Sequence, residues 1–303
     1  MMKWKKMGVI FQPPRDLGWM ATHAALPCVD QLDTGCRIYF SGRDEKGRAQ
    51  VGFFEVDLAD PAAILRISEH PVISIGPVGT FDDHGVTGSW VVTRNDNKYH
   101  YYTGWSLGRT VPFYLQVGLA VSTNGGKSFE KVSQAPLLDR TDVDPYLTAS
   151  PCVLIESGVW RMWYVSGTGW KTTSQGARHY YHIKYAESSD GIEWKRKGVV
   201  CIDYRSPDEH AISRPCIVKD ADNYKMWYAY RGEVNRIGYA ESQDGIGWTR
   251  KDDDAGIVVS ASGWDSEMIA YPFVFDHGGT RYMLYNGNGY GKTGIGLAVH
   301  VED

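Results

Sequence analysis

The stretch Glu209-His210-Ala211-Ile212-Ser213-Arg214-Pro215-Cys216-Ile217-Val218, followed by Tyr224-Lys225-Met226-Trp227-Tyr228-Ala229-Tyr230-Arg231, decides the fold. It reads as a charged loop, an apolar strand, a turn at Asp222-Asn223 and a second strand rich in aromatic residues, which suit a pleated, half-buried surface. Two further strands follow, Arg236-Ile237-Gly238-Tyr239-Ala240-Glu241-Ser242 and Trp248-Thr249-Arg250-Lys251, joined by a turn at Asp244-Gly245. The chain repeats this four-strand cassette. Pro27 pairs with Phe40, Ser89 with Tyr102, Pro151 with Tyr164, Pro215 with Tyr228 and Pro272 with Tyr285, always 13 residues apart. Successive first anchors lie 62, 62, 64 and 57 residues apart, and each copy carries a third strand such as Ile183-Lys184-Tyr185-Ala186 or Ile295-Gly296-Leu297-Ala298.

A long period built from short strands predicts an all-β, five-bladed β-propeller with four antiparallel strands per blade. The last copy stops after its third strand. At the other end, Trp4-Lys5-Lys6-Met7-Gly8-Val9-Ile10 nearly repeats the fourth strand Trp194-Lys195-Arg196-Lys197-Gly198-Val199-Val200. The N-terminal strand is therefore expected to close the last blade and remove a free edge. On this reading residues 1–303 form a single domain.

Composition bounds the function. With 43% hydrophobic and 13% aromatic side chains in 303 residues, the chain can bury a large core. A net charge of −4 with no Lys/Arg block argues against a nucleic-acid partner. No apolar run is long enough to insert in a bilayer and no signal peptide is visible. Five cysteines without a CxxC pair complete the picture of a cytoplasmic protein with free thiols.

In a propeller the first strand of each blade lines the central channel. Loops leading into first strands and loops leaving second strands then meet on one face. Leading loops bring His23, Asp83, His84, Asp144, Glu209, His210, Trp264, Asp265 and Glu267. Leaving loops bring Arg43, Trp105, Arg231 and Asn288, and Arg214 lies within a first strand. Carboxylates and amides bond hydroxyls while indoles stack on sugar rings, so this set suits a saccharide or glycoconjugate. Arg43, Arg214 and Arg231 would hold an anionic portion of it. Two carboxyl groups flanking a pocket cleave a glycosidic bond as acid and base or nucleophile, which makes Glu209, Glu267 and Asp83 the candidate catalytic groups. The other eleven residues named here are candidate substrate contacts. Each has a plainer alternative: an Asx turn for an Asp, a structural ion pair for Arg214, a satisfied core position for a His. The chain has no GxSxG, P-loop, HExxH or Cys/His metal spacing.

The "Met-Trp-Tyr" and "Tyr-Met-Leu-Tyr" strands and the "Tyr-Ala-Glu-Ser-x-Asp-Gly-Ile-x-Trp" hairpin resemble the five-bladed propellers of a glycoside hydrolase superfamily. That superfamily contains arabinanases, β-xylosidases, invertases, levansucrases and mannoside phosphorylases. Phe40-Ser41-Gly42-Arg43-Asp44, residues 209–215 and Trp264-Asp265-Ser266-Glu267 through Tyr285-Asn286-Gly287-Asn288 look like a branch found with bacterial surface-polysaccharide genes. That branch is similar to the propeller part of a glucosamine inositolphosphorylceramide transferase. The resemblance implies a glycosidase-type enzyme, or a related transferase or phosphorylase, with Glu209 near the place of the general acid and the base drawn from Asp83, Asp144 or Glu267. The chain departs where the superfamily keeps an Asp before the first-blade Pro. Leu26 stands there, and Gly88, Ser150, Arg214 and Tyr271 hold the equivalent places. That departure favours the alternative of a non-catalytic carbohydrate-binding propeller assisting polysaccharide synthesis. Some members of the superfamily hold a channel calcium through a His. No full oxygen-ligand set is readable here, and no cofactor or metal is expected.

Overall fold

The structure is a computed structural model and describes residues 2–14, 16–174, 176–221 and 223–301. Asp222 of the expected Asp222-Asn223 turn therefore lies outside the described residues. β1 (Lys3–Phe11) opens the chain. Unit one follows as β2 (Thr22–Leu32), β3 (Gly35–Arg43), β4 (Ala49–Val56) and β5 (Ile64–Ile67). Unit two is β6 (Gly85–Arg94), β7 (Asn97–Leu107), β8 (Phe113–Ser122) and β9 (Glu130–Lys131). Unit three is β10 (Thr148–Glu156), β11 (Val159–Thr173), β12 (Gly176–Ser188) and β13 (Lys195–Ile202). Unit four is β14 (Ala211–Asp220), β15 (Asn223–Arg231), β16 (Asn235–Ser242) and β17 (Thr249–Arg250). Unit five is β18 (Ala270–His277), β19 (Thr280–Asn286) and β20 (Ile295–Val301). Neighbouring strands within each unit run antiparallel.

The first strands β2, β6, β10, β14 and β18 pack side by side in that order, and β18 returns to β2, so the units close a ring. β1 pairs antiparallel with β20 from Lys3↔Val301 to Phe11↔Ile295 and gives unit five its fourth strand. The expectation of an all-β propeller closed by its N-terminal strand is met. No helix among the described residues is long and apolar enough to cross a membrane.

Aromatic side chains on the second strands stitch each unit to the next. Tyr39 donates its hydroxyl to Gly126 O at 2.8 Å, Tyr101 to Gly191 O at 2.8 Å, and Trp163 Nε1 donates to Gly245 O at 2.7 Å. Each acceptor sits in the outer hairpin of the following unit. Gly126 needs its φ of +80°, and a Cβ there would lie 2.2 Å from the Tyr39 hydroxyl. Trp227 holds the same place in unit four. Its following unit is closed by β1 and has no outer hairpin, and Trp227 Nε1 is buried with no partner among the described residues. An orphaned donor of this kind costs about 1–3 kcal/mol. It follows directly from closing the ring with the start of the chain.

Every first strand is bulged at a shared position: between Ala25 and Cys28 (with a second shift in β2 between Thr22 and Ala25), Gly88 and Trp90, Ala149 and Cys152, Ser213 and Cys216, and Ala270 and Phe273. Leu26, Ser150, Arg214 and Tyr271 occupy these bulges with φ of 55°, 44°, 55° and 57°. Left-handed non-glycine backbone costs about 1–3 kcal/mol per residue and persists only where the surroundings hold it. Side chains of the preceding unit do so: Leu26 N donates to Asn286 Oδ1 at 2.9 Å, Gly88 N to Ser41 Oγ at 3.1 Å and Ser150 N to Thr103 Oγ1 at 2.9 Å. Cys28, Cys152 and Cys216 follow three of the bulges; all five cysteines are free and buried. Burial pushes the Cys28 and Cys216 thiols up to about 12, so these three are packing groups between first strands.

Candidate functional site

Bulges re-aim the side chains that follow them, and here they open a central cavity of about 310 Å³ lined from all five units. Unit one supplies Leu26, Ser41 and Arg43; unit two Thr87, Thr103, Trp105 and Phe113; unit three Ser150, His179 and Tyr181. Unit four supplies Ser213, Arg231 and Asn235, and unit five Tyr271 and Tyr290. Asn235 Nδ2 donates to the Tyr290 hydroxyl at 2.9 Å, and Trp105 Nε1 donates to Thr87 Oγ1 at 3.3 Å. Two guanidinium groups, hydroxyls and aromatic faces line this space, and no carboxylate among the described residues does. Neither Arg43 nor Arg231 has an ion-pair partner among the described residues, and Arg231 Nε is buried without a hydrogen bond.

A more open chamber of about 760 Å³ adjoins the cavity and shares Arg231 and His179 with it. Its other walls include Arg178, His210, Asp208 and Glu233. The His179 ring stacks on Tyr181 with centroids 4.8 Å apart and meets His210 edge-on at 5.7 Å. Burial, then His210, Arg231 and Arg178, hold the His179 imidazole down at about 4. Burial and the same two arginines lower His210. His23, beside Arg43 and Lys292, is held down to about 4 by burial and those cations. Burial and the neighbouring cations thus favour the neutral form of His23, His179 and His210.

The expected site residues divide sharply. Arg43, Trp105 and Arg231 line the central cavity, and His210 lines the outer chamber. His84 sits on a ledge of about 120 Å³ beside Arg43 and Trp105. His23 stands against Arg43 outside the cavity wall. Asp83 accepts from Gly79 N at 2.9 Å and lines a side depression with Arg140 and Tyr146. Glu267 is exposed and lines none of these spaces.

The remaining six are occupied by architecture. Asp144, fully buried, accepts from Tyr164 OH at 3.0 Å, Ser166 Oγ at 2.7 Å and Arg196 Nη1 at 2.9 Å. Asp265 accepts from Tyr285 OH at 3.0 Å and Lys6 Nζ at 2.6 Å, and so ties the closing strand β1 to unit five. Asp82 does the same in unit two with Tyr102 and Lys131. The recurring staple joins leading loop, second-strand Tyr and fourth-strand cation. In unit four Asp252 takes the Tyr228 hydroxyl, and Glu209 receives Arg250 through both oxygens at 2.8 and 3.1 Å. Asn288, in the β19–β20 loop, pins the loop leading into β18 by accepting from Glu267 N and donating to Gly263 O. Trp264 packs on Tyr285 at 5.0 Å and fills the space a Cβ on Gly296 would need.

Arg214 is the plainest correction. Its guanidinium is completely buried and donates to Ser89 O at 2.5 Å and Pro27 O at 2.6 Å, so it bridges the first strands of units one, two and four instead of facing a ligand. A buried cation there suits no channel metal. Among the described residues no group of three or more His, Cys, Asp or Glu converges to hold one.

Third strands also line the cavity, beyond what the loop rule foresees: Phe113 of β8, His179 and Tyr181 of β12 and Asn235 of β16. His179 and Tyr181 belong to a third strand, and they reach the cavity because the β11–β12 hairpin is the longest of the molecule. The signal in the sequence was the stretched interval between Tyr164 and Ile183.

The Glu209–Arg250 pair allows a separate check. Glu209→Gln keeps the shape and one acceptor but loses the charge-assisted pair, while Asp252 still holds Arg250 at 2.6 Å. We expect a loss of about 1–3 kcal/mol in denaturant unfolding. An unchanged midpoint would show that the pair is not structural.

No family model matches the chain. Among solved structures it superposes on a glycoside hydrolase with a TM-score of 0.74 at 18% identity, over 98% of this chain and 91% of that one. A thermostable family-43 glycoside hydrolase gives 0.66 at 17% identity, over 93% and 91% of the two chains. Zg3597, a family 117 glycoside hydrolase from the marine bacterium Zobellia galactanivorans, gives 0.70 at 13% identity over 100% and 93%. At these identities the likeness establishes the fold, that of propeller-like glycoside hydrolases. In sequence the chain is 44% identical over 299 residues to uncharacterized protein MT1551 of Mycobacterium tuberculosis strain CDC 1551 / Oshkosh and equally to uncharacterized protein Rv1502 of strain H37Rv. Each match spans 98% of this chain and 99% of the relative, and the protein belongs to the family of MT1551 and Rv1502.

Proposed function

We propose that the central cavity binds a saccharide or glycoconjugate carrying an anionic group, with Arg43 and Arg231 on the anion and Trp105, Tyr181, Tyr271 and Tyr290 against the sugar. One observation carries this reading: among the described residues, two arginines without carboxylate partners face a cavity that no carboxylate lines. Paired carboxyl groups are the equipment of most glycosidases. Glu209 is engaged by Arg250, and Glu267 lines none of the spaces described. The glycoside-hydrolase-like fold supports a saccharide as the ligand class. Catalysis on a glycosidic bond is the second reading, and the observation favouring it is that Asp208 and Glu233 border the outer chamber beside two neutral imidazoles. Five buried free thiols fit a reducing, cytoplasmic setting.

Calorimetric titration of matched neutral, phosphorylated and sulfated monosaccharides at low and high salt tests the proposal. The charged members should bind about tenfold or more tightly than the neutral one and weaken as salt rises. Equal affinity across the set, independent of salt, would overturn it.

A pH series adds a sign. An anion beside His179 raises its pKa from about 4, so binding takes up a proton in the acid range. Affinity for a sulfated sugar, whose own charge does not titrate there, should rise as pH falls from roughly 7 toward 4. A flat profile would mean that the anion lies away from His179.

A further inference from the structure

The two adjoining spaces differ in chemistry. The inner one is small, aromatic and rich in hydroxyls; the outer one is larger, open and polar, with both Arg178 and the acids Asp208 and Glu233 on its walls. Arg231 belongs to both, and at this divide two buried nitrogens, Arg231 Nε and His210 Nδ1, lack hydrogen-bond partners among the described residues. Buried polar atoms without partners are uncommon in proteins and mark places where something else completes the bonding. We infer that the ligand is bipartite: a single negative charge inside the molecule sits at Arg231 and is met by Arg43 from the inner cavity, one hydroxylated part fills that cavity, and a second hydroxylated part occupies the outer chamber.

The charge is internal because the divide has room on both sides. A terminal anion would leave one chamber unused. It is single because Asp208 and Glu233 share the outer chamber with Arg231, and like charges nearby penalise a dianion more than a monoanion. The same two carboxylates accept hydrogen bonds from sugar or polyol hydroxyls. A phosphodiester between two polyols and a uronate within a disaccharide share this chemistry. This inference rests on the anion-binding reading above.

Titration calorimetry with five probes separates the possibilities: a glycerophosphoryl hexose, a uronate-containing disaccharide, the hexose 1-phosphate, the free uronate and a neutral disaccharide. At least one bipartite monoanion should bind about tenfold more tightly than the hexose 1-phosphate and the free uronate. Whichever of the two does so identifies the source of the charge. Arg178→Ala, at an exposed wall of the outer chamber only, should weaken that ligand about five- to tenfold and leave the free uronate unchanged. If the short anions bind well, the bipartite ones gain nothing and Arg178→Ala affects all alike, the bipartite ligand is wrong while anion binding stands. If no charged probe outbinds the neutral disaccharide, anion binding fails and this inference with it.

Discussion

Replacing Arg214 with alanine is expected to lower the melting temperature by roughly 5–8 °C, the counterpart of about 3–5 kcal/mol in a chain of this length. Three terms set that figure. The substitution leaves a cavity where five first strands converge, and incomplete collapse makes such losses large. It also strips Ser89 O and Pro27 O of their charge-assisted donors, at about 1–3 kcal/mol for each orphaned carbonyl. Against these stands the relief of a guanidinium that is wholly buried with no carboxylate in contact, and whose pKa burial pulls below its ordinary value. The last term makes Arg214→Met informative. Methionine restores most of the volume without the charge, so it should recover more than half of the loss. An alanine variant as stable as the parent would mean that the guanidinium does not hold the inner strands together.

Arg231→Ala is expected to weaken binding of a charged saccharide about ten- to a hundredfold and to leave its neutral analogue within twofold. Hydrogen bonds to a charged group contribute about 1.5–3 kcal/mol, and each 1.4 kcal/mol is a factor of ten. Arg231 is placed to give this in full, since its Nε has no competing partner and no carboxylate pairs with the group among the described residues. Arg231→Lys should recover only part, because an ammonium on a flexible stem cannot reproduce the fork of a guanidinium. The salt dependence of the charged ligand should fall in both variants, more in the alanine one. Titration of the three proteins against the same two ligands reads all of these effects. A neutral ligand losing as much as the charged one would assign Arg231 to packing.

The fold was legible because blade architecture repeats in register with its anchors. The 13-residue interval, the aromatic second strands and the echo of Trp194–Val200 in Trp4–Ile10 each report a local strand preference that tertiary packing upholds. The site was legible only in part, and the reason lies in the same regularity. Asp82, Asp144 and Asp265 share one offset from their anchors and bond the Tyr that stands 13 residues after each anchor. Asp208 keeps the offset in unit four but borders the outer chamber, and Asp252 takes its place on Tyr228. A position filled alike in four units belongs mainly to what the units share, which is architecture. Glu209 departs from that offset, yet Arg250 on the fourth strand claims it. The loop rule placed both ends of the leading loops on the open face, whereas the Asp of units two, three and five turns inward to the staple. Arg43, Trp105 and Arg231 lie 16 residues after their first anchors, a position that varies among Arg, Trp, Gly and Asn from unit to unit, and these three reach the cavity. In unit three that position is Gly167, and the long hairpin supplies His179 and Tyr181 in its place. Hairpin length fixes which third-strand residues overhang the cavity, and it is not written in the anchors.

The central claim is that arginines of the funnel, and not a carboxyl pair built on Glu209, recognise the ligand. Titrating one charged saccharide into Glu209→Gln and Arg231→Ala side by side tests it most directly. The account predicts that Glu209→Gln binds as tightly as the parent protein while Arg231→Ala loses at least about tenfold. The reverse pattern, with Arg231→Ala intact and Glu209→Gln impaired, would contradict it.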